Sequence, residues 1–122
     1  ARVREIAQIV ACDVHPVNNM RIRNHIRDLQ PDDPQAVLKW TQKWSSAGFV
    51  ALEARLANDR RTGRYCHGDV PTMADTCLVP HVFNARAMGH DVSAFPTCLR
   101  IVDACNALPA IAAAHPDRVV VV

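Results

Sequence analysis

The segment from Asp69 to Pro80, with the sequence DVPTMADTCLVP, constrains the fold more than any other part of the chain. Thr72 is followed three residues later by Asp75 and then by a run of apolar side chains, which is the sequence form of a helix capping box. In such a box the hydroxyl accepts a hydrogen bond from a first-turn N–H, and the carboxylate accepts one from the N-cap N–H. We therefore predict that a helix begins at Thr72, with Pro71 as the last residue of the incoming turn.

This helix is expected to form the core of the domain. Pro80 should kink it, because proline removes an intrahelical hydrogen bond and clashes with the carbonyl of Thr76. Gly89 should end it in the left-handed conformation. The apolar side chains occupy most of its circumference, which predicts burial at the centre of an all-helical domain; they are Leu78, Val79, Val82, Phe83 and Ala85 to Met88.

Two long helices should precede the core helix, since apolar residues recur there at steps of three and four. The first is expected to run from Ala1 to Leu29 with a kink near Asp13 to His15, where Pro16 interrupts it. The second should open at Asp32 or Asp33 and end near Asn58. Gly48 indicates close approach of another backbone to the second helix. One face of this helix carries two large rings, predicted to lie in the core, and a seam of small residues: Trp40, Trp44, Ala47, Ala51 and Ala54.

The remaining chain predicts two shorter helices and no strand. One should begin at Ser93 or Ala94 with Pro96, and a brief last one should span about Leu108 to Ala114. The apolar end from Asp117 to Val122 is expected to be frayed or docked. Strand-like alternation never lasts. The fold class is therefore all-α, a bundle of about five helices without a sheet, in one domain that spans residues 1–122.

Composition excludes several classes of protein. A hydrophobic content of 49% in 122 residues is too high for a disordered chain, and a formal charge of +2 without a basic stripe argues against nucleic-acid or acidic-membrane partners. Five cysteines without a C-x-x-C pair are typical of buried thiols in a reducing compartment; Cys12, Cys77, Cys98 and Cys105 are expected to be buried. The sequence shows no signal peptide and no apolar run of about 20 residues, so we expect a soluble cytoplasmic protein.

Polar side chains on the otherwise apolar first helix are the clearest candidates for a site. They allow two interpretations, a locally hydrogen-bonded bend or the polar wall of a pocket. His15 and Asn19 would share a face, and Arg21 could bind a carboxylate. Arg86 reads as a solvated cation near a helix C-terminus. Six histidines without H-x-x-x-H spacing make a metal site unexpected. The set on the first helix comprises Asp13, His15, Asn18, Asn19 and Arg21.

Several runs together resemble the C-terminal helical domain of zeta-class glutathione transferases, and within that class the maleylacetoacetate and maleylpyruvate isomerases. The resemblance covers nearly the whole chain, and the combination of its motifs is specific. The matching runs are IVACDVHPVNN (9–19), AGF with ALE (47–53), GDVPTMAD (68–75), LVP (78–80) and NAR (84–86).

The resemblance implies a function for the full-length protein. Relatives isomerise a cis double bond of a small diketo dicarboxylate to trans, with glutathione as a reversibly adding nucleophile. Their glutathione-activating Ser-Ser-Cys motif belongs to an N-terminal thioredoxin-like domain, which these 122 residues do not include. The resemblance therefore implies no catalytic residue in this chain. The implied glutathione- or substrate-binding positions are Asp13, Val14, His15, Asn19, Met20, Arg21 and Arg86.

The resemblance also sets the remaining expectations. Relatives often carry arginine where this chain has Met20 and Ala87, and they form homodimers largely through the first two long helices. A chain that starts at Ala1 is expected to be a piece of a longer protein, inactive alone as an isomerase. The alternative is a stand-alone helical module for binding or dimerisation that keeps the fold without the chemistry.

Overall fold

The computed structural model describes residues 1–119, and these are all-helical, as predicted. Five continuous helices have ten residues or more, and the first of them joins three consecutive segments. No strand occurs in the described part of the chain. The final three residues of the apolar end lie outside it. The elements are α1 (Arg2–Gln8), a π-helical segment (Ile9–Val14), α2 (His15–Asn18), α3 (Met20–Leu29), α4 (Ala36–Ala57), α5 (Met73–Ala87), α6 (Pro96–Asn106), α7 (Pro109–Ala113) and a 3-10 turn (Pro116–Arg118).

The capping box at the start of α5 is confirmed, and its carboxylate also reaches beyond the helix. Asp75 is completely buried, and its Oδ2 accepts from the N–H of Thr72 at 2.7 Å and from the Thr72 hydroxyl at 2.9 Å. Its Oδ1 accepts from the N–H of Cys66 at 2.8 Å. One carboxylate thus fixes the helix start and the loop before it, because each of these N–H groups would otherwise be left unpaired.

The end of α5 also agrees with the sequence. Gly89 has a φ of 75°, in the left-handed region, as predicted. The N–H of His90 donates to the carbonyl of Ala85 at 2.9 Å, and the N–H of Gly89 donates to the carbonyl of Arg86 at 2.9 Å. This pair of hydrogen bonds is a Schellman motif. It turns the chain sharply and places His90 against α4.

Burial of α5 is one-sided, which corrects the prediction of burial around most of its circumference. Leu78 and Val82 are completely buried where α5 packs against α1, α6 and the π-helical segment. Thr76, Pro80 and Arg86 lie exposed on the other side. Val79 and Phe83 are half-buried, so the core covers only part of the circumference of α5. The helix runs unbroken through Pro80, and the expected kink stays a prediction.

The first helix differs from the prediction of one helix that continues to Leu29. It widens into π-helical geometry between Ile9 and Val14, next to the predicted kink. We attribute the widening to Pro16, whose ring cannot accommodate the carbonyl of Cys12 one turn back. The helix then ends at Asn19, which is extended with a ψ of 166°. The carboxamide of Asn19 starts a separate helix, α3, because its Oδ1 accepts from the N–H of Ile22 at 3.1 Å.

The start of α4 and its buried face both correct the sequence analysis. The helix begins at Ala36 instead of Asp32 or Asp33, since Asp33 closes a preceding turn by accepting from the N–H of Gln35 at 2.9 Å. Trp40 and Trp44 are half-buried and pack edge to face rather than in the core. The buried face is instead formed by Thr41, Ser45, Gly48, Phe49, Leu52 and Leu56.

Gly48 does lie at a close approach, as predicted, although a side chain and not a backbone comes near. A Cβ added there would lie 2.3 Å from Cγ2 of Val14. The small-residue seam beside Gly48 faces outward, with Ala47 and Ala54 exposed. Because residue 48 has no side chain, the π-helical segment can pack closely against α4.

The helix α6 begins at Pro96, two or three residues later than predicted. Its first turn is capped from another helix, because the carboxylate of Glu53 in α4 accepts from the N–H groups of Thr97 at 2.9 Å and Cys98 at 3.0 Å. The last helix, Pro109–Ala113, agrees with its predicted span. All five cysteines are free; Cys66, Cys98 and Cys105 are buried and Cys77 is half-buried, but Cys12 is exposed and the prediction of its burial is wrong.

Candidate functional site

A cavity of about 740 Å³ opens where the first helix, α3, α4 and α5 meet. Its volume lies in the range of small-molecule sites in proteins. Apolar side chains form much of the wall, and most of the polar ones come from the junction of α2 with α3, from α4 and from α5. The lining comprises Val10, Ala11, Val14, His15, Asn18, Asn19, Met20, Arg23, Thr41, Ser45, Thr76, Cys77, Pro80, His81, Asn84, Ala85, Ala87, Met88 and His90.

Hydrogen bonds hold the junction between α2 and α3 in place on α4. Asn19 Nδ2 donates to the carbonyl of Pro16 at 2.9 Å, and Trp40 Nε1 donates to the carbonyl of Val17 at 2.8 Å. Asn18 Nδ2 lies 3.4 Å from the carbonyl of Thr41, to which it donates. Asn18 and Asn19 of the polar cluster thus make side-chain hydrogen bonds at a bend. The same bend also forms one wall of the cavity.

Two buried histidines form the inner wall. His81 is 7% exposed and its ring stacks on Phe49 with the centroids 4.1 Å apart. Burial lowers the pKa of His81 to about 4, with smaller contributions from His15 and His90. His90 is 8% exposed, its Nε2 lies 3.4 Å from the Thr41 hydroxyl, and burial lowers its pKa. His81 is therefore neutral at pH 7, and the burial of His90 favours its neutral form as well.

Unpartnered polar atoms concentrate on this cavity. Five buried side-chain nitrogen or oxygen atoms in the described residues have no hydrogen-bond partner, and four of them belong to cavity-lining residues. Buried polar atoms without partners cost about 1–3 kcal/mol each, so such a group indicates a site that a polar ligand or water completes. The four are Asn18 Oδ1, Arg23 Nε, His81 Nε2 and His90 Nδ1.

The cavity is electropositive. Arg23 is the one fully charged side chain among the described lining residues, and no aspartate or glutamate lines the cavity there. In residues 1–119, no three histidine, cysteine, aspartate or glutamate side chains meet in a way that could hold a metal ion. The chemistry of the lining therefore fits an organic anion with further hydrogen-bonding groups.

The structure brings together four of the residues implied by the sequence and separates three others from them. Val14, His15, Asn19 and Met20 line the cavity. Asp13 and Arg21 are exposed and lie outside its lining. Arg86 is exposed and lines a second, mostly apolar cavity of about 630 Å³ between α5 and the C-terminal helices.

Sequence reasoning missed Arg23, Thr41, His81 and His90. Arg21 and Arg23 lie about 200° apart around a helix axis, so only one of them can face the cavity. The resemblance to the zeta class selected Arg21, whereas the spacing of four residues from Asn19 was the signal that could have found Arg23. His81 directly follows the LVP run (78–80) that carries part of the family resemblance. That position was the sequence signal that could have marked His81 as a site residue.

Comparison with known proteins identifies the family. The model of the glutathione S-transferase C-terminal domain matches residues 46–115, which is more than half of the chain. The chain belongs to this family. Among curated relatives, maleylpyruvate isomerase from a Ralstonia species is 45% identical over 115 residues, which cover 94% of this chain and 54% of the relative. Maleylacetoacetate isomerase from Rhizobium meliloti is 42% identical over 117 residues, which cover 96% of this chain and 54% of the relative.

Solved structures agree with the family assignment and with the resemblance to the zeta class. The glutathione-transferase domain superposes on a holo maleylpyruvate isomerase, a bacterial zeta-class enzyme, with a TM-score of 0.93 and 44% identity, covering 97% of this chain and 56% of that one. It superposes equally well, at 0.93 and 37% identity, on a maleylacetoacetate isomerase from Methylobacterium extorquens AM1 that holds malonate and glutathione; the match covers 98% of this chain and 56% of that chain. The chain spans about half the length of the relatives it matches.

No helix in residues 1–119 is both long enough and apolar enough to cross a membrane.

Proposed function

We propose that this chain is the substrate-side helical domain of a glutathione-dependent cis-trans isomerase that acts on maleylpyruvate or maleylacetoacetate in the degradation of aromatic compounds. The carrying observation is 45% identity to a maleylpyruvate isomerase over 94% of the chain. The electropositive cavity supports it, since both substrates are dicarboxylates. A maleylacetoacetate isomerase from Anaeromyxobacter dehalogenans binds dicarboxyethyl glutathione and citrate, which also carry several carboxylates.

Glutathione would supply the thiolate that adds reversibly to the cis double bond of the substrate. We propose that His15 and Asn19 bind it or a water molecule at the cavity wall, and that Val14 and Met20 exclude water from the reacting carbons. Asp13, Arg21 and Arg86 lie outside this cavity. For them we propose contacts at the edge of the site in the assembled enzyme.

No residue of this chain is proposed to activate the thiol. Burial raises the pKa values of Cys66, Cys98 and Cys105, the last to about 11, so these thiols are protonated at neutral pH. We propose that residues 1–122 form one domain of a longer cytoplasmic protein, in which a preceding thioredoxin-like domain activates glutathione. The domain alone should be inactive.

We also propose a homodimer that forms through the first two long helices. The small-residue seam of α4 supports this, because Ala47 and Ala54 are exposed and Ala51 is half-buried in the single chain. Small side chains allow close packing of helices across an interface, and outward-facing alanines need no other explanation if a second copy covers them.

The test is a coupled experiment on the full-length gene product and on residues 1–122. We expect the full-length protein to convert maleylpyruvate to its trans isomer only when glutathione is present, as followed by ultraviolet absorbance, and the isolated domain to show no turnover. A full-length product without isomerase activity toward either dicarboxylate would favour the alternative, a helical binding or dimerisation module. Turnover by the isolated domain would contradict the proposed division of labour.

A further inference from the structure

The charge of the cavity comes from a residue that neither the sequence motif nor the proposed function assigns. We propose that Arg23 is the carboxylate-binding residue of this cavity and thereby determines its preference for a dicarboxylate. The inference rests on the proposed function for the identity of the ligand, and on the geometry of the described residues for the choice of Arg23.

The first argument is the absence of any opposing charge in the lining. No acidic side chain borders the cavity among the described residues, and the ion pairs of the structure join other side chains than Arg23. Arginine stays protonated at all physiological pH values. An arginine beside a largely apolar cavity without a counter-ion favours an anionic ligand, because the low dielectric strengthens its attraction.

The second argument is the burial of the guanidinium. Arg23 is half-buried, and its Nε is buried without a hydrogen-bond partner. A guanidinium presents its N–H groups in a planar fork that matches the two oxygens of a carboxylate. A ligand carboxylate would therefore pair with the charge and at the same time satisfy the orphaned nitrogen.

The third argument is that the other polar groups do not compete for the carboxylate. His81 is neutral at pH 7, because burial holds its pKa at about 4. Its Nε2 and the Nδ1 of His90 have no partner, so they suit an uncharged oxygen of the ligand. The cavity wall thus offers the permanent charge of Arg23 and, farther along, uncharged donors or acceptors. This combination matches a ligand with both a carboxylate and a carbonyl group.

Arg27 provides the matched control. It lies four residues away on the same helix, is exposed and stands outside the cavity lining. Arg27→Met and Arg23→Met therefore remove the same charge from the same helix, but only the second removes it from the cavity. Methionine keeps most of the apolar stem of each side chain, and circular dichroism checks that both variants are folded.

The experiment measures succinate binding by calorimetry in the full-length gene product with saturating glutathione. Succinate has two carboxylates but no double bond, so glutathione cannot add to it. We expect Arg23→Met to weaken succinate binding by roughly 10- to 150-fold, the usual effect of losing a charge-assisted hydrogen bond. Arg27→Met should change it less than about twofold. Arg23→Lys should give an intermediate loss, since an ammonium group cannot pair with both oxygens in the same geometry.

A gain-of-function variant tests the charge without relying on loss. Met20 lines the same cavity and is 58% exposed, so an arginine has room there. We expect Met20→Arg combined with Arg23→Met to recover a large part of the lost succinate affinity. Glutathione affinity, measured separately, should change less than about threefold in Arg23→Met and Arg27→Met.

Several results would overturn the inference. They are succinate affinity within about twofold of wild type in Arg23→Met, equal losses in Arg27→Met and Arg23→Met, a loss confined to glutathione, and no succinate binding by the wild-type protein. The isomerase assay separates this inference from the proposed function. If the enzyme is active but Arg23→Met does not change its succinate affinity, only the inference is refuted. If the wild type is inactive, the proposed function is refuted, and the binding comparison still tests the role of Arg23.

Discussion

The imidazole of His81 stacks on the ring of Phe49, with 4.1 Å between the ring centroids and 22° between their planes. This stacking places a titratable group in the core, between α4 and α5, where few polar atoms are available. Burial is the main reason for its lowered pKa, and the charges that His15 and His90 acquire on protonation add to the effect. A charged imidazole is therefore disfavoured in the folded state.

The first prediction concerns acid stability. His81 has a pKa of about 4 in the folded protein and about 6.5 when unfolded, so the unfolded state binds more protons between these values. As the pH drops from about 6.5 to about 4, protonation of His81 should lower the free energy of unfolding by roughly 3 kcal/mol. Above pH 6.5, His81 is neutral in both states and should add no pH dependence. His81→Phe keeps the aromatic stacking and should flatten this part of the profile.

The measurement is urea denaturation of the full-length gene product at a series of pH values. His25, which is exposed on α3, provides the control: His25→Phe should leave the acid slope as in the wild type. An unchanged slope in His81→Phe would show that His81 does not resist protonation in the folded protein.

The second prediction compares the two residues of the capping box. Thr72→Ala should lower the free energy of unfolding by about 0.5–2 kcal/mol, as is usual for an N-cap residue. Asp75→Ala should cost more, about 2–6 kcal/mol, because it leaves the N–H groups of Thr72 and Cys66 unpaired and one of them is fully buried.

Thr76→Ala is the control for these variants, since Thr76 is exposed and only back-bonds to the carbonyl of Met73. Its effect on the free energy of unfolding in urea should stay within about 0.5 kcal/mol. Equal costs for Thr72→Ala and Asp75→Ala would mean that the hydrogen bond from Cys66 contributes little to stability.

Local signals explain how much of the fold could be predicted from the sequence. The Thr72 to Asp75 spacing and Gly89 located both ends of α5, because capping depends on residues that are neighbours along the chain. The break at Asn19 was missed, since its carboxamide competes with continuation of the helix and either outcome suits the local sequence. This error did not select Arg21 instead of Arg23, because a continuous helix would also have placed Arg23, four residues after Asn19, on the same face as Asn19. Arg21 came from the resemblance to the zeta class.

Long-range contacts were beyond the reach of sequence patterns. Arg2 is 7% exposed and pairs with Asp59 at 3.0 Å, although 57 residues separate them. His81 was read as part of an apolar helix, and its role in the cavity appears only when α4 and α5 are placed side by side. The resemblance to the zeta class supplied His15 and Asn19, which local spacing alone left between a bend and a site.

The third prediction concerns the interhelical cap of α6. Burial tends to raise the pKa of Glu53, but hydrogen bonds from Thr97 and Cys98 outweigh it, and the pKa is lowered. The carboxylate therefore stabilises the fold above its unfolded pKa of about 4.5, and this contribution is lost as the pH falls through the lower folded value. Glu53→Ala should cost about 1–3 kcal/mol at pH 7 and less in acid.

The measurement is the difference in unfolding free energy between wild type and variant at pH 7 and at pH 3. Asp103→Asn, an exposed substitution on α6, serves as the control and should have little effect at either pH. A Glu53→Ala penalty that is as large at pH 3 as at pH 7 would assign the effect to packing instead of to the charged cap.

The last prediction concerns the close approach at Gly48. Alanine at an interior helix position usually adds about 1 kcal/mol of helix propensity relative to glycine. Here its Cβ would lie 2.3 Å from Cγ2 of Val14, so either Val14 or the π-helical segment must move. Overpacking of this kind costs about 1–3 kcal/mol, and we expect Gly48→Ala to be destabilising on balance.

A double-mutant cycle isolates this contact. Val14→Ala removes the clashing methyl group, so Gly48→Ala should be less harmful, or even stabilising, in the Val14→Ala background. The coupling should exceed about 0.5 kcal/mol, which is larger than that expected for distant sites. Because Val14 also lines the cavity, Gly48→Ala should weaken succinate binding as well if Val14 is displaced toward the ligand. Additive effects in the cycle would mean that the first helix adjusts freely, and the fit between residues 14 and 48 would then not hold the cavity wall in place.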